Sequence, residues 1–337
     1  MKMAHSEAMN QPSRGLRYAV GKCCWLVFGC LVLCTFLAFF SRHYWVADLL
    51  ANLRVQLVIV GLSVLLAGLF LRQWRLALLS CVVLAVHLPW FLSALPPVPQ
   101  RERVGHGITM TSINVLSGNI QYDRVIADLI NANTDVIAVL ELTPTLDQKL
   151  RQDLPDFRHV ITRSKDEGNF GVGVYSKHPL ADSELFESVQ GIESIAVTVV
   201  VEQRQAPSEY FRLFVTHPLP PMNAELFEQR NRQLKDVADR IDKFRQRASG
   251  IPIVLLGDLN LTPWSPWFLE FRARSGLVRG ISKFTLEPTW YRFPIFPLGL
   301  ILDHGLIEPS LVCTDFKVGK PMGSDHRSIT LRIASAD

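Results

Sequence analysis

Past its first hundred residues the 337-residue chain has a single cysteine, Cys313. No disulfide can form within that part, and no zinc-type cysteine spacing exists. The chain also has no glycine-rich phosphate loop, no His-Glu-x-x-His helix and no Gly-x-Ser-x-Gly elbow, which sets aside three common catalytic designs. Internal repeats and low-complexity tracts are missing, and the composition excludes disorder. Charge of one sign is scarce: residues 101–337 carry 27 Lys/Arg against 29 Asp/Glu, a net −2. Such a balance gives no electrostatic footprint for nucleic acid. The sequence pI of 8.8 comes from residues 1–100, with eight Lys/Arg against Glu7 and Asp48. A mean hydropathy of +0.19 with 20% charged residues fits neither an ordinary soluble enzyme nor a wholly embedded protein, so the chain has two unlike parts.

The first part holds three apolar stretches, Cys23–Phe40, Val55–Leu71 and Leu76–Leu95, and five of the six cysteines lie in them. At 1.5 Å per residue each comes close to the ~30 Å hydrocarbon core. Residues 1–95 therefore read as a membrane anchor with three spanning helices, about 23–40, 53–71 and 76–95. The second is completed by Leu53 beside a snorkelling Arg54. A cleavable leader is disfavoured because no small-x-small site follows Phe40 and further spans come after it. Four Lys/Arg before the first span and the Arg72-Gln-Trp-Arg75 connection place the N-terminus in the cytoplasm. With three spans the rest of the chain lies outside the cytoplasm, on a multi-pass protein of the cell (inner) membrane. His87, beside Pro89 and Trp90, reads as interfacial packing. A proline-rich linker, 96–107, separates this anchor from a domain at 108–337.

In that domain, Val- and Ile-rich runs at Ile108–Val115, Val136–Leu140, Val172–Tyr175, Ile195–Val201, Phe211–Val215, Ile253–Leu256 and Leu300–Ile307 read as strands. Tyr122–Asn131 and Met222–Arg247 read as helices, the latter with Glu225 and Glu228 early and Lys243, Arg245 and Arg247 late, as the helix dipole favours. The mixture predicts an α/β (α+β) domain.

Polar residues stand where these strands end. Asn114 follows Ile108–Ile113, Glu141 follows Leu140, and His217 follows Thr216. Gly257-Asp258-Leu259-Asn260 ends another run, with Asp258 and Asn260 on one side if the backbone stays extended. Asp303 lies within Leu300–Ile307, and Gly323-Ser-Asp-His-Arg327 comes near the C-terminus. Carboxylates of this kind offer the hard oxygens that Mg²⁺ prefers. Amides can stabilise a developing phosphoryl charge, and histidines supply acid and base groups near neutral pH.

In order and spacing these pieces resemble the endonuclease/exonuclease/phosphatase family over about 108–333, most specifically at Val254–Asn260 and Gly323–His326. The family commonly has Gln before its metal-binding Glu, whereas here Leu140 precedes Glu141. The resemblance implies a four-layer sandwich of two mixed β-sheets flanked by helices. It implies Mg²⁺, with Mn²⁺ as a substitute, on Glu141 with Asn114 and Asp325 nearby. Asp258 would orient or activate water, Asn260 would bind the phosphoryl oxygens, and Asn119 would assist. Asp325 would orient His326, Asp303 would support the metal or the imidazole, and His217 would be the general acid. His304 points to the opposite strand face from Asp303 and stays outside the site.

The expected activity is phosphodiester hydrolysis by in-line attack of water, on nucleic acid or on a lipid or lipid-linked phosphoester. A binding module that kept the fold and lost catalysis is the contrasting reading. Within Glu287–Leu300, Trp290, Tyr291, Phe293, Ile295 and Phe296 are too apolar for a solvated loop. They fold over the domain's own core or the anchor, or they lie at the bilayer interface, where aromatics are favoured. Nothing in the sequence points to a protein partner.

Overall fold

A computed structural model describes residues 14–96, 107–202, 208–248, 250–292 and 298–335. Most of the proline-rich linker, along with Phe293, Ile295 and Phe296, lies outside the described residues. The anchor consists of α1 (Arg14–Leu37) with a 3-10 turn at Ala38–Phe40, the short α2 (Trp45–Asn52), α3 (Arg54–Phe70) and α4 (Trp74–Leu92). Among the described residues two helical stretches, Gly15–Phe40 and Trp74–Leu92, are long and apolar enough to cross a membrane; α2 and α3 make a third if taken as one span bent by 64°. Leu26, Leu33, Phe36, Leu66, Phe70 and Leu78 are among the exposed apolar side chains of these helices.

The anchor departs from the sequence reading at Leu53. Leu49 and Leu50 belong to α2, and the chain bends by 64° between it and α3 at Leu53, so the stretch across Arg54 is a broken helix and not a straight one. Arg54 does not snorkel either. Its side chain is fully buried, lies 4.0 Å over the Trp90 ring and meets Nδ1 of His87 at 3.5 Å. His87 also meets Thr35 Oγ1 at 3.2 Å, so it packs between helices.

The domain is a four-layer sandwich. Its elements are β1 (Ile108–Asn114), α5 (Tyr122–Ala132), β2 (Val136–Leu140), α6 (Pro144–Asp153), β3 (His159–Arg163), β4 (Val172–Ser176), β5 (Leu180–Val189), β6 (Ile192–Val201), β7 (Glu209–Val215), α7 (Ala224–Arg247), β8 (Ile253–Asp258), α8 (Pro266–Ser275), β9 (Val278–Arg279), β10 (Trp290–Tyr291), β11 (Gly299–Leu300), β12 (Asp303–Ile307), β13 (Leu311–Val318) and β14 (Ile329–Ser335). One sheet runs β13-β14-β1-β2-β4-β3 and the other β5-β6-β7-β8-β12-β9, with β10 and β11 as a separate pair.

Alternation along the strands divides the core. Met110, Val136, Ala138, Val174, Val197, Leu213, Val254 and Leu256 meet between the sheets. The intervening Ile113, Ile137, Val139 and Tyr175 face Val125, Leu129, Leu146 and Leu150 of α5 and α6. On the other side Phe214, Ile253, Leu255 and Leu306 face α7 and α8. Both faces are covered, which is why these strands read as continuous apolar runs.

Each sheet has one parallel pair near its centre, β1 with β2 and β7 with β8. Short of a crossover, neighbours run antiparallel, so a parallel pair sends two carboxyl ends to the same edge. Asn114 ends β1, Glu141 follows β2, His217 comes just after β7 and Asp258 ends β8. In β12, antiparallel to β8, Asp303 stands opposite Asp258. The topology thus delivers the polar residues to one rim of the sandwich.

Candidate active site

Glu141 leaves β2 with a left-handed backbone, φ 58°, which turns its side chain away from the strand's own alternation. Its Oε1 accepts from Asn114 Nδ2 at 3.0 Å, and its Oε2 accepts from the Ser117 backbone N–H at 3.0 Å. The same Asn114 amide donates to Asp258 Oδ2 at 3.2 Å and so ties the two sheets' acidic residues together. Asn114 Oδ1 accepts from the Leu116 N–H at 3.1 Å.

Asp258 Oδ2 lies between two imidazoles, 3.4 Å from His217 Nε2 and 3.5 Å from His326 Nε2. Its neighbour Gly257 has no room for a side chain: a Cβ there would fall 2.0 Å from the Thr216 carbonyl oxygen. His326 Nδ1 faces Asp303 Oδ2 at 2.9 Å. Asp303 is fixed in turn by Thr289, whose Oγ1 accepts from the backbone N–H groups of Leu302 and Asp303 at 3.0 Å each.

Charge follows from this geometry. Burial opposes ionisation of Asp258, but His326 and His217 overcome it and hold the carboxyl at about 2. Burial likewise opposes a charged His326, yet the Asp303 and Asp258 carboxylates push it up to about 10. Burial is the largest influence on Asp303 and raises its carboxyl above the usual range. His326 is therefore an imidazolium between two carboxyl groups.

The sequence expectations fare unevenly here. Glu141, His217, Asp258, Asn260, Asp325 and His326 line one cavity of about 840 Å³, and Asn114 and Asp303 bond to its lining residues. Asp325 is not the partner of the His326 ring. That place belongs to Asp303, while Asp325 Oδ2 accepts from the Trp290 indole N–H at 2.9 Å. Asn119 does not face the cavity: its Nδ2 donates to the Met322 carbonyl at 3.3 Å and its Oδ1 accepts from Gln121 N–H. A Cβ on Gly323, where φ is +95°, would lie 2.6 Å from that Oδ1, so Asn119 braces the 323–326 turn.

Asn260 is not on an extended backbone. It has φ 50°, its N–H donates to Asp258 Oδ1 at 2.9 Å, and its Nδ2 donates to the Pro218 carbonyl at 2.9 Å. His304 stays outside as expected, with Nε2 at 2.7 Å from the Leu261 carbonyl.

Several site residues were not legible in the sequence. Phe170 stacks beside His217 with ring centroids 5.2 Å apart, and no pattern around it announces this. Trp290 was named for its hydrophobicity, whereas its N–H holds Asp325. The residues flanking the aromatic segment, Leu286 and Ile301, join Val55, Trp90, Phe91 and Ala94 in one cluster, and within the segment the Gly299 carbonyl accepts from Gln56 Nε2 at 3.0 Å; Trp290 and Tyr291 are not part of that cluster.

Residues 111–326 match the model of the endonuclease/exonuclease/phosphatase family. The chain belongs to that family. Members are hydrolases acting on phosphate esters, and the two mixed six-stranded sheets flanked by helices are the family's fold. Among solved structures it is similar to a mannosyl-6-phosphatase of Bacteroides thetaiotaomicron, with a TM-score of 0.54 and 15% identity over 67% of this chain and 99% of that one. It is similar to D. rerio TDP2 complexed with a single-strand DNA product, at 0.54 and 15% over 68% and 100%. The human Nocturnin catalytic domain with bound sulfate gives 0.54 and 15% over 70% and 97%. Likenesses at this identity are likenesses of fold. Among curated protein sequences none matches the chain.

For a family of metal-dependent hydrolases the donor set is suitable. Asp258, Asp303 and His326 bring ligand atoms within 4.8 Å of one another, and Oδ1 of Asp303 and of Asp325 are buried without a hydrogen-bond partner among the described residues. Hard, partly unsatisfied carboxylate oxygens of this kind suit a divalent cation.

Proposed function

We propose that the protein is a membrane-anchored, divalent-cation-dependent phosphodiesterase that works by in-line attack of water. The observation that carries this reading is the Asp258 carboxylate set between two imidazoles, one of them fixed by Asp303, beside Glu141 in a single cleft. A Mg²⁺ ion, or Mn²⁺ in its place, would be held by Glu141 and Asp325 with Asn114 alongside. When bound it would supply neutralisation of the phosphate oxygens.

Asp258, ionised, orients the attacking water and draws its proton. The imidazolium of His326 meets the negative charge that grows on the phosphoryl oxygens, and Asp303 keeps its ring in place. Asn260 offers its amide to the same oxygens. His217 delivers a proton to the departing ester oxygen. A bond forms from water oxygen to phosphorus as the phosphorus–ester bond breaks, leaving a phosphomonoester and an alcohol. Nucleic-acid backbones and lipid headgroups both present such a bond.

The test is hydrolysis of bis-(p-nitrophenyl) phosphate by the detergent-solubilised full-length protein. Turnover with Mg²⁺, lost in EDTA and restored by Mn²⁺, is expected. Equal, near-zero rates in both conditions, with DNA, RNA and phospholipid vesicles also untouched, would make the protein a binding module on an enzyme fold. The anchor is further proposed to hold its N-terminus in the cytoplasm, cross the cell membrane three times and carry the domain outside.

A further inference from the structure

The cleft is not built by the domain alone. Two residues of α2, Leu49 and Asn52, line the same cavity as Glu141, His217, Asp258 and His326. Helix α2 is held there by directed contacts. Asn52 Oδ1 accepts from Thr262 N–H at 2.7 Å and from Thr262 Oγ1 at 2.9 Å. The Trp264 indole donates to the Asn52 carbonyl at 3.1 Å, and Arg230 Nη1 donates to Asp48 Oδ2 at 2.8 Å. Asp48 and Asn52 are four apart and share a helix face, and that face is bound to the domain. Leu49 and Val46, three apart, form another face, which is partly exposed.

This second face runs from the outside into the cavity. Opposite it the domain contributes Leu219, Pro220, Pro221, Met222 and Leu226, with Met222 strongly exposed. The cavity therefore has a charged floor, at the imidazoles and carboxylates, and an apolar flank whose outer wall is a helix of the anchor. The flank is continuous through α2 with the lipid-facing helices. A nucleic-acid backbone has charge and sugar where this flank has only hydrocarbon, and the net −2 of residues 101–337 gives little overall electrostatic drive toward a polyphosphate.

We propose that α2 is the substrate-selecting wall of the cleft, and that the substrate is the headgroup phosphodiester of a membrane lipid whose apolar chain lies along Leu49 and Leu226. This rests on the phosphodiesterase and anchor readings above. Leu49 acts in selection, by contact with the chain, and not in the chemical step. Burying each methylene against such a wall raises apparent affinity roughly fourfold.

The experiment compares the full-length protein, in detergent with Mg²⁺, on dibutanoyl- and dihexanoyl-phosphatidylglycerol below their micelle concentrations, on bis-(p-nitrophenyl) phosphate and on plasmid DNA. The expected result is a kcat/KM higher for the longer lipid by on the order of tenfold or more, carried mostly by KM. Leu49→Gln should flatten that dependence and lower the ratio of lipid to bis-(p-nitrophenyl) phosphate turnover, whereas Leu49→Met should keep both. The wild-type chain-length series decides the matter even if Leu49→Gln fails to fold. A flat series while bis-(p-nitrophenyl) phosphate is hydrolysed, or DNA cut faster than either lipid, overturns the lipid proposal and leaves the phosphodiesterase reading standing. Absence of turnover on every substrate brings down both.

Discussion

Asp258 is charged because of its company: buried, it would favour the neutral acid, and the two imidazoles reverse that preference and hold it at about 2. His326 is cationic for the complementary reason. Backbone strain gathers at the same place. Of the seven non-glycine residues with positive φ among the described residues, Leu116, Glu141, Asn169 and Asn260 all line the cleft. Such conformations cost roughly 1–3 kcal/mol each and persist where packing enforces them. Asp303→Asn should lower kcat by ~10² or more, and the loss of its charge should bring the His326 titration down from about 10, visible as a shifted alkaline limb in the rate profile. Asp325→Asn should instead raise the Mg²⁺ concentration for half-maximal rate by on the order of tenfold. Identical Mg²⁺ titrations for the two variants would refute that division of labour. Asn114, Glu141, His217 and Asp258 stand at the ends of apolar runs, so the sequence showed that they share one rim of the fold. It did not show which carboxylate meets which ring, because Asp303 and Asp325 are exchanged only when β12 and the 323–326 turn are placed side by side.

Six strands (β3, β5, β13, β14 and the two-residue β9 and β10) and two helices of the domain went unread for physical reasons that differ. Helix α6 opens on Thr143, whose hydroxyl accepts from Leu146 N–H, with Pro144 at its first turn. Helix α8 opens on Ser265-Pro266 and stops at Gly276 in the left-handed region. Both carry good caps on only 10 residues, so their apolar periodicity is too brief to stand out. Strand β14 alternates cleanly and was legible in principle; β5 is an exposed edge strand with polar side chains and gave no signal. Strand β13 is bent by a register shift between Cys313 and Asp315, and there the Cys313 thiol meets the Asp315 carbonyl at 3.2 Å. Burial pushes that thiol from 9.0 up to about 12. The folded state thus holds the thiol proton more tightly than the unfolded chain. The stability this gives is complete below pH 9 and is lost as pH climbs toward about 12. Thermal melts of wild type and Cys313→Ala between pH 8 and pH 11 should converge as pH rises. Parallel curves would remove Cys313 from the alkaline transition.

Over the whole molecule the decisive feature is the seam between anchor and domain. Besides α2, it includes Trp267 donating to the Ser41 carbonyl at 3.1 Å, Arg272 to Ser93 at 3.1 Å and Gln56 to Gly299 at 3.0 Å. The Arg230–Asp48 pair is fully buried. Removing one partner, as in Arg230→Met, should cost about 3–5 kcal/mol, while Arg230→Met with Asp48→Leu should recover most of it. Melting the four proteins of this cycle in detergent measures the coupling, and additive losses would mean the pair does not act as a unit. Orientation is read from outside the fold: alkaline phosphatase fused after Asp337 should be active, and a bright cytoplasmic-type fluorescent fusion there would mean a miscounted span. That the chain opens with apolar helices and continues as a mixed α/β domain was plain from hydropathy, and the sandwich followed from the family resemblance. The seam was not, because Asp48, Asn52 and Arg230 are ordinary residues until residues about 180 positions apart meet. It follows that the peptide link through 97–106 is not what keeps the two parts together. A chain cut there by an inserted protease site is held as a non-covalent pair, with the domain sedimenting with its own anchor after a salt wash and coming free only when urea unfolds the joint.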